Sequence, residues 1–438
     1  MSNGEETMDS AQAPNPPGGL IDNVFRGEWT RNPKIVDLND SGSFLHGVPH
    51  AAFDRIRREY PVYWNEENPA WGPGFWNITK YDDIVAVSRD TETFSSAQGI
   101  NIAYPPDSDP TVINAVVGNM ICMDPPLHRV YRKIAQPFFT RSRIAGLEGR
   151  IRELATQVLD QALARHEGDF MVDVAAPLPI NVLCDILGVP HSDWKLIFDW
   201  SNILIGFDDP ELGESEEKVE QTFMSLFGYG REMIEDRRKN PRDDLMTAIA
   251  TAQPEHGESI PETLLNGFFL LMVIAGNETT RNSISGGMLA LLENPKEKRK
   301  MIDDPRLCET TGREEILRWV SPVNHMRRTA TRDTQIRGQK VTAGDKVVLW
   351  YGAANRDPDA FERPHSFEVL RDPNPHLAFG IGEHFCLGAR LARLQIKVLF
   401  EELLRRAPDV ELRGEVRYIR TNFINGIKAM PVLFGASS

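Results

Sequence analysis

The segment from Ser259 to Asn294, SIPETLLNGFFLLMVIAGNETTRNSISGGMLALLEN, restricts the possible folds more than any other part of the chain. It predicts one very long helix, with Ser259 and Pro261 at its cap and first turn and Glu262 at the positive end of its dipole. The middle of the segment is apolar on nearly every face, so the helix must be buried. Its strongest apolar run, FFLLMVIAG from Phe268, is too short to span a bilayer. A long helix buried in this way requires a large body of protein around it.

The other periodic segments predict more helix and a little sheet. Apolar residues recur at helical spacing from Ile144 to His166 and from Ser225 to Lys239. Strand patterns occur in VYWNEE, in GFWNITKY, in TRDTQIRGQKVTAGDKVVLWY, and in a hairpin within RTNFINGIKAMPVLF. We find no repeat and no mid-chain linker. The sequence therefore predicts a mostly α fold with a small β-rich subdomain.

Charge and composition narrow the class of protein. The net charge of −14 argues against nucleic acid as a partner, because phosphate binding needs a basic face. The four cysteines are scattered, which favours a reduced set in a cytoplasmic protein. The polar, Pro/Gly-rich start is typical of neither a signal peptide nor a membrane anchor. We therefore predict a disordered tail over residues 1–20 and one large domain over residues 21–438.

Cys386 stands just before a helical pattern, in HLAFGIGEHFCLGARLARLQ. A lone cysteine is usually a small core residue. A phosphate-binding G-x-G-x-x-G loop is excluded, since Phe385 occupies the third glycine position. A zinc site would need more ligands than the neighbouring His384, and a catalytic nucleophile would need a paired base. The remaining interpretation is a thiolate metal ligand, favoured by helix N–H groups and by glycines that let the backbone approach a flat, bulky group such as an iron-porphyrin.

The spacing Phe379-Gly380-x-Gly382-x-His384-x-Cys386-x-Gly388 resembles the haem-binding signature of the cytochrome P450 monooxygenases. The resemblance implies the P450 fold and haem b, with iron bound by the thiolate of Cys386. It also places Phe379, Gly380, His384 and Gly388 against the cofactor. A thiolate ligand of this kind favours cleavage of the O–O bond.

A second constellation is EEILRW, in which Glu315 and Arg318 lie one helical turn apart. The alternative interpretation is an ordinary surface ion pair, which is common and weak. In the family, an E-x-x-R pair is buried and joined by a later arginine, and FERPHSFEVLR resembles that later segment through Arg371. The resemblance implies that Glu315, Arg318 and Arg371 form a structural network that holds the cysteine loop.

A third constellation is AGNETT, from Ala275 to Thr280, in the middle of the long helix. A solvated turn fits poorly here, since the preceding residues are apolar. A hydroxyl bond from Thr279 to the carbonyl four residues earlier would bulge the helix and leave a groove. The resemblance implies that Thr279 and Glu278 are the alcohol and the acid that manage protons during oxygen activation, and that Ala275 lies against the cofactor.

The segment DPPLHRVYRK places His128 and Arg132 on one helix face. The alternative interpretation is that both side chains are simply exposed on the surface of the helix. The resemblance implies that His128 and Arg132, together with Arg328 and His384, bind the two haem propionates. Arginine suits this role because its guanidinium can clamp a carboxylate with two hydrogen bonds.

The substrate pocket is mapped only through the resemblance. Its predicted lining residues are mostly apolar, although several could instead face the core: Ile100, Ile102, Val116, Val117, Met120, Leu271, Ala275, Thr279, Val323, Met326, Phe423 and Ile424. This composition favours a hydrophobic small-molecule substrate. Short segments such as AGNETTRNSISGG are similar to the corresponding sequences of bacterial enzymes that hydroxylate terminal methyl groups of sterol side chains and methyl-branched lipids. Linear alkanes, fatty acids and terpenoids remain alternatives.

Electrons must come from partners, since no flavin or iron–sulfur domain is recognisable in the chain. The resemblance implies an iron–sulfur ferredoxin, a ferredoxin reductase and NAD(P)H. A basic docking patch behind the cysteine is predicted, although ordinary solvated charges are the alternative; its candidates are Arg132, Lys133, Arg141, Arg390, Arg393 and Lys397. Two other functions stay open, a peroxygenase that uses H2O2 directly and a haem sensor without catalysis.

Overall fold

The computed structural model describes residues 35–67, 72–102, 119–213, 215–253 and 260–435. Helices dominate this part of the chain. The α-helices are α1 (His50–Glu59), α2 (Tyr81–Arg89), α3 (Leu127–Ala135), α4 (Arg141–Gly146), α5 (Glu148–Leu163), α6 (Pro177–Leu187), α7 (Trp194–Ile205), α8 (Glu216–Lys239), α9 (Leu245–Ala250), α10 (Glu262–Glu293), α11 (Pro295–Asp303), α12 (Thr311–Val320), α13 (Tyr351–Ala354) and α14 (Ala389–Arg406).

The strands form small sheets beside the helices. They are β1 (Val62–Asn65), β2 (Phe75–Ile78), β3 (Phe94–Ser95), β4 (Glu167–Asp169), β5 (His325–Ala330), β6 (Thr334–Ile336), β7 (Gln339–Val341), β8 (Lys346–Trp350), β9 (Glu411–Leu412), β10 (Arg417–Tyr418), β11 (Ile427–Ala429) and β12 (Pro431–Leu433). The largest sheet has the order β1-β2-β8-β5-β3, and only its β2–β8 pair is parallel. The predicted mostly α fold with a small β-rich part is therefore confirmed.

Helix α10 lies at the centre of the helical part, as its apolar composition requires. It packs against α6, α7, α8 and α12 and is buried along most of its length. Small residues allow these close approaches. A Cβ on Gly287 would lie 2.5 Å from Ile316 Cγ2 of α12, and a Cβ on Gly276 would lie 3.1 Å from Leu183 Cδ1 of α6. Glycine in the helix therefore serves packing between helices.

Three boundaries differ from the sequence-based expectations. Helix α10 begins at Glu262 with Pro261 as its cap residue, not in its first turn, and Ser259 lies outside the described residues. The predicted helix from Ile144 is divided at Leu147 into α4 and α5. Helix α8 begins well before Ser225, where the Ser215 hydroxyl accepts the backbone N–H of Lys218 at 3.2 Å.

The predicted C-terminal hairpin was only partly right. Strand β10 pairs with β11 across a turn formed by residues 419–426, whereas β12 leaves this hairpin and pairs with β4 and β9. Strands that meet partners distant in sequence leave no local signal, because hairpin patterns describe adjacent strands alone. The turn at residues 419–426 is called the C-terminal turn below.

Within the described residues, no helix combines the length and the apolar character needed to cross a membrane. All four cysteines lie in the described ranges and none forms a disulfide. Burial raises the pKa values of Cys122, Cys184 and Cys308 to about 12, so these three thiols stay protonated in the core. Cys386 alone among the four is exposed.

Candidate functional site

The loop that carries Cys386 is held by its own backbone. The Cys386 N–H donates to the Phe379 carbonyl at 2.9 Å. Gly380 and Gly382 adopt φ values of +65° and +78°, which residues with a side chain rarely adopt. A Cβ on Gly382 would also lie 2.8 Å from the Ser88 carbonyl of α2, so the loop is pressed against that helix. Glycine at position 382 is therefore required twice, by conformation and by space.

Cys386 is exposed, yet the surrounding protein still desolvates its sulfur. The space that this sulfur meets is called the cavity below. Burial raises the pKa of its thiol, whereas the N–H groups of Gly388 and Ala389 and the guanidinium groups of Arg132 and Arg393 lower it. The expected thiolate-favouring N–H groups are thus present, but desolvation outweighs them. A metal cation on the sulfur would reverse this balance, since coordinating thiols are deprotonated.

The residues predicted to meet carboxylates come together beside this loop. The rings of His128 and His384 lie 4.4 Å apart. Arg132 donates to the carbonyls of Glu383 at 3.4 Å and Phe385 at 2.6 Å, which joins α3 to the cysteine loop. Burial, with help from Arg328, His128 and Arg132, lowers the pKa of His384 to about 2.

This cluster suits an anionic group. Both imidazoles are neutral, because burial lowers the pKa of His128 as well. His128 Nδ1 is buried without a hydrogen-bond partner among the described residues. The two guanidinium groups of Arg132 and Arg328 supply the positive charge, and Arg328 is buried. Together with the sulfur, these groups fit an iron-porphyrin: Cys386 would bind its iron, and the four side chains would bind its carboxylates.

The structure also brings Glu315, Arg318 and Arg371 into one buried network. Both oxygens of Glu315 accept from Arg318 at 2.8 Å, and Arg371 Nε donates to the same carboxylate at 3.1 Å. Arg318 Nη1 also reaches the Asn355 carbonyl at 2.8 Å. Glu315 and Arg318 are both fully buried, so this is not the surface pair that was the alternative interpretation.

Two members of this network were not predicted. The backbone N–H of Glu368 donates to Glu315 at 2.8 Å, and Asn374 Nδ2 donates to it at 3.0 Å. Asn374 belongs to the chain that leads into the cysteine loop, so Glu315 is connected to that loop directly. No sequence pattern marks an asparagine or a backbone amide for such a role, because the contact exists only after the chain has folded back.

The buried middle of helix α10 is accessible to solvent at one place. Ala275 is exposed and Thr279 is partly exposed, although the residues around them are buried. They are four residues apart and so share one helix face. Thr279 Oγ1 donates to the Ala275 carbonyl at 2.8 Å, as expected. The predicted bulge is absent, since α10 is continuous here; a hydroxyl can share a carbonyl without breaking the helix.

Glu278 points away from this face. Its carboxylate is fully buried and pairs with Arg281 Nη2 at 2.5 Å, one turn along α10. It also accepts from Asn277 Nδ2 at 3.1 Å and from Ser201 Oγ of α7 at 3.4 Å. Burial raises the pKa of Glu278 to about 7, against the opposing effects of Arg281 and Ser201. The carboxyl is therefore able to change protonation state near neutral pH.

Arg281 was missed by the sequence analysis. It is also buried, and it donates to Asn202 on α7 in addition to its pair with Glu278. The signal was present in ETTR, an acid–base pair at i,i+3 spacing inside an apolar helix, which is the same spacing as in Glu315 and Arg318. A buried charge at such a place requires a partner.

The predicted pocket residues fall into different surroundings. Val116 and Val117 lie outside the described residues. Ile102, Met120 and Leu271 are packed in the hydrophobic core, which agrees with the alternative interpretation for these three. Ile100, Val323, Met326 and Phe423 are partly exposed, whereas Ile424 is buried. An isolated β-bridge joins Val323 to Ile424, so the C-terminal turn lies against the start of β5.

The six basic residues of the predicted docking patch have different surroundings: some contact other parts of the protein, and others are exposed. Arg393 donates to Glu314 at 2.7 Å and stacks over the Phe379 ring at 4.4 Å. Lys397 pairs with Glu148 at 3.2 Å. Arg132 holds the cysteine loop as described. The exposed members of the set are Lys133, Arg141 and Arg390. Three apolar residues of α3 and the cysteine loop are exposed as well: Leu127, Val130 and Phe385.

Comparisons with known proteins found related sequences and structures. The family model described as cytochrome P450 matches residues 314–408. The chain is 41% identical over 393 residues to a methyl-branched lipid omega-hydroxylase of Mycobacterium tuberculosis, covering 88% of this chain and 91% of that protein. It is 37% identical over 413 residues to a steroid C26-monooxygenase of Rhodococcus jostii, covering 93% and 86%. A solved Mycobacterium marinum cytochrome P450 in complex with pseudoionone has a TM-score of 0.83 and 35% identity, covering 87% and 94%.

Proposed function

Because the chain belongs to the cytochrome P450 family of monooxygenases, we propose that it inserts one oxygen atom from O2 into a terminal C–H bond of a branched, hydrophobic chain. The favoured substrates are a sterol side chain and a methyl-branched or isoprenoid lipid. The observation that carries this proposal is an exposed cysteine, Cys386, beside a cluster of two guanidinium and two imidazole groups. Haem b would supply the chemistry of O2 reduction and C–H oxidation.

The protein's own side chains would have distinct tasks at this cofactor. Cys386 would bind the iron, and the N–H groups of Gly388 and Ala389 would stabilise the negative sulfur. Arg132, Arg328 and the two neutral imidazoles would hold the propionates. Phe379, Gly380 and Gly388 would let the loop lie close to the porphyrin. Ala275, which has no bulk beyond Cβ, would keep the opposite side open for O2 and substrate.

The choice of substrate rests on two observations. The partly exposed residues that meet at β5 and the C-terminal turn are apolar, so they favour a substrate that is desolvated on binding. The relatives named for methyl-branched lipids and for steroid C26 also act, by their names, at chain ends. Linear alkanes, fatty acids and terpenoids are the alternative substrates.

We expect the ferric haem protein to bind sterols or methyl-branched chains with a shift of the haem spectrum from low spin to high spin. The purified protein would be titrated with sterols, prenols, methyl-branched acids, fatty acids and linear alkanes. Larger and tighter shifts are expected for the branched compounds than for linear chains of equal carbon number. A shift with linear alkanes and none with branched compounds would contradict the proposed substrate class.

The Thr279→Ala variant is expected to form less product for each NADH consumed, by about tenfold or more, and to release hydrogen peroxide instead. The reason is the loss of a hydroxyl on the cavity face of α10, since positioned proton donors commonly contribute factors of that size or larger. Product and peroxide are measured in the same assay with ferredoxin, reductase and NADH.

Two variants control this result. Thr279→Ser keeps a hydroxyl and should restore coupling, and Thr280→Ala alters a neighbouring buried threonine and should leave coupling unchanged. Unchanged coupling in Thr279→Ala would remove Thr279 from the role. Full turnover by the wild type with peroxide alone would favour the peroxygenase, and no turnover with any electron source would favour the sensor.

A ferredoxin is the proposed electron donor, and it would dock on the exposed side behind Cys386. Lys133, Arg141 and Arg390 would meet an acidic partner, while exposed Leu127 and Phe385 would add apolar contact. Reversing the three charges should slow reduction at low salt by about tenfold and reduce its dependence on ionic strength. Arg405→Glu, an exposed residue at the other end of α14, is the control. Equal salt dependence in all variants would place the partner elsewhere.

A further inference from the structure

The C-terminal turn is fastened to the start of β5 by His325. The Nδ1 atom of His325 lies 3.0 Å from the carbonyl oxygen of Asn422. A carbonyl oxygen accepts only, so Nδ1 must carry the proton. Burial lowers the pKa of His325 to about 3, and the ring therefore stays neutral at any working pH. The Nδ1–H group can donate to Asn422 in either protonation state of the ring, so the bond does not depend on pH.

The same imidazole supports Phe423 from behind. The rings of His325 and Phe423 pack edge to face with centroids 5.4 Å apart, and His325 also lies against Trp350 of β8 at 4.8 Å. His325 is fully buried, whereas Phe423 and Met326 are partly exposed. Successive side chains of a strand point to opposite faces, so Met326 and Arg328 share the cavity face and His325 lies on the other. His325 therefore acts on the cavity wall without facing the cavity.

Other contacts fix the turn on its remaining sides. The Asn324 N–H donates to the Phe423 carbonyl at 2.8 Å. Asn422 Nδ2 donates to the carbonyls of Leu38 and Asn39 at 3.1 Å. On the third side, a Cβ on Gly426 would lie 3.0 Å from Asn282 Nδ2, one turn beyond Thr279 on α10. The turn thus contacts both β5 and α10, and it meets α10 at Asn282, one turn from Thr279.

We propose that His325 is a positioning residue that determines where along a bound chain oxidation occurs. By holding the turn against β5, His325 keeps Phe423 in a fixed position. A long substrate then reaches the reaction centre with its terminal carbon and not with an inner carbon. This inference rests on the proposed terminal hydroxylation and adds the residue that enforces it. A wall free to move would admit inner carbons, since a flexible site loses discrimination between similar positions.

His325→Leu tests the inference, because it keeps an apolar side chain and removes both the donor and the aromatic ring. With a saturated methyl-branched alcohol as probe, the ratio of terminal to inner hydroxylation should fall about tenfold, which corresponds to about 1.4 kcal/mol between two transition states. His325→Asn retains an N–H donor near the Nδ1 position and should recover part of the ratio. The thiolate spectrum and the melting temperature are recorded for every variant.

One control and one second test variant separate this role from general destabilisation. His50→Leu removes another imidazole whose pKa burial lowers, but His50 lies in α1 and should leave the product ratio unchanged. Asn422→Ala removes the bonds to Leu38 and Asn39 and should lower the ratio as His325→Leu does, which keeps the test decisive if the latter fails to fold. An unchanged ratio in the folded His325 or Asn422 variants would overturn the inference, as would an equal fall in His50→Leu.

The failure of the proposed function would look different. If the wild type binds long-chain substrates but hydroxylates none of them at the terminal carbon, the proposed function is wrong. The positioning role of His325 is then tested by substrate binding alone. The probe alcohol and its linear isomer are compared by their spectral dissociation constants. His325→Leu should lose the preference of the wild type between the two isomers, and an unaltered preference would overturn the inference here as well.

Discussion

Cys386→Ala protein is expected to lose the thiolate signature in the carbon-monoxide spectrum of its reduced form, together with essentially all oxygenase activity. The sulfur of Cys386 faces the cavity, and the other three cysteines are core thiols whose pKa values burial raises to about 12. No second thiolate is therefore poised to replace it. Absorption spectra of the purified, haem-loaded variant and the wild type measure the difference.

Cys308→Ala is the matched control for this experiment, because it removes a buried thiol away from the loop. It should keep the wild-type spectrum and most of the activity. A thiolate signature that persists in Cys386→Ala, or one that disappears in Cys308→Ala, would show that the wrong sulfur has been assigned. The proposed function would then lose its basis.

Glu315→Gln is expected to have the largest effect on stability, a loss of about 3–5 kcal/mol in the free energy of unfolding. The change removes the negative charge that faces Arg318 and Arg371, and both guanidinium groups are buried. An uncompensated buried charge costs much more than a broken surface pair. Denaturant unfolding measures the loss, and the thiolate spectrum followed during heating shows whether the cysteine loop is released early.

Glu153→Gln supplies the comparison, since Glu153 pairs with Arg150 at 3.4 Å while both side chains are well exposed. Its effect should stay within about 0.5 kcal/mol. If Glu315→Gln cost no more than this control, the network would contribute little, and the cysteine loop would have to be held by its own backbone bonds. A loop that keeps its spectrum until global unfolding would lead to the same conclusion.

Much of the site could be predicted because the residues of each motif lie close together in the sequence. The cysteine loop, the E-x-x-R pair and the face of α10 that carries Thr279 each depend on spacing within a few residues, which the sequence preserves directly. The long apolar helix predicted the centre of the fold for the same reason. Strand β12 could not be assigned to its sheet, since its partners β4 and β9 are distant in sequence.

The direction of a side chain was harder to predict than its position. Glu278 was predicted to manage protons together with Thr279, and that role stays a prediction. Neighbouring residues on a helix point about 100° apart, and the carboxylate of Glu278 pairs with the buried guanidinium of Arg281. Similarly, Arg393 and Lys397 carry the charge expected of a docking patch, yet acids on other helices have already engaged them. These outcomes depend on which helices meet, and no local pattern contains that information.

The contacts between α7 and Glu278 have a thermodynamic consequence. Ser201 binds the carboxylate itself, and Asn202 binds the guanidinium that neutralises it, so the proton affinity of Glu278 depends on where α7 lies. A ligand that displaces α7 on binding must therefore release or take up a fraction of a proton. By reciprocity, its affinity must then vary with pH around the titration of a group that it never touches.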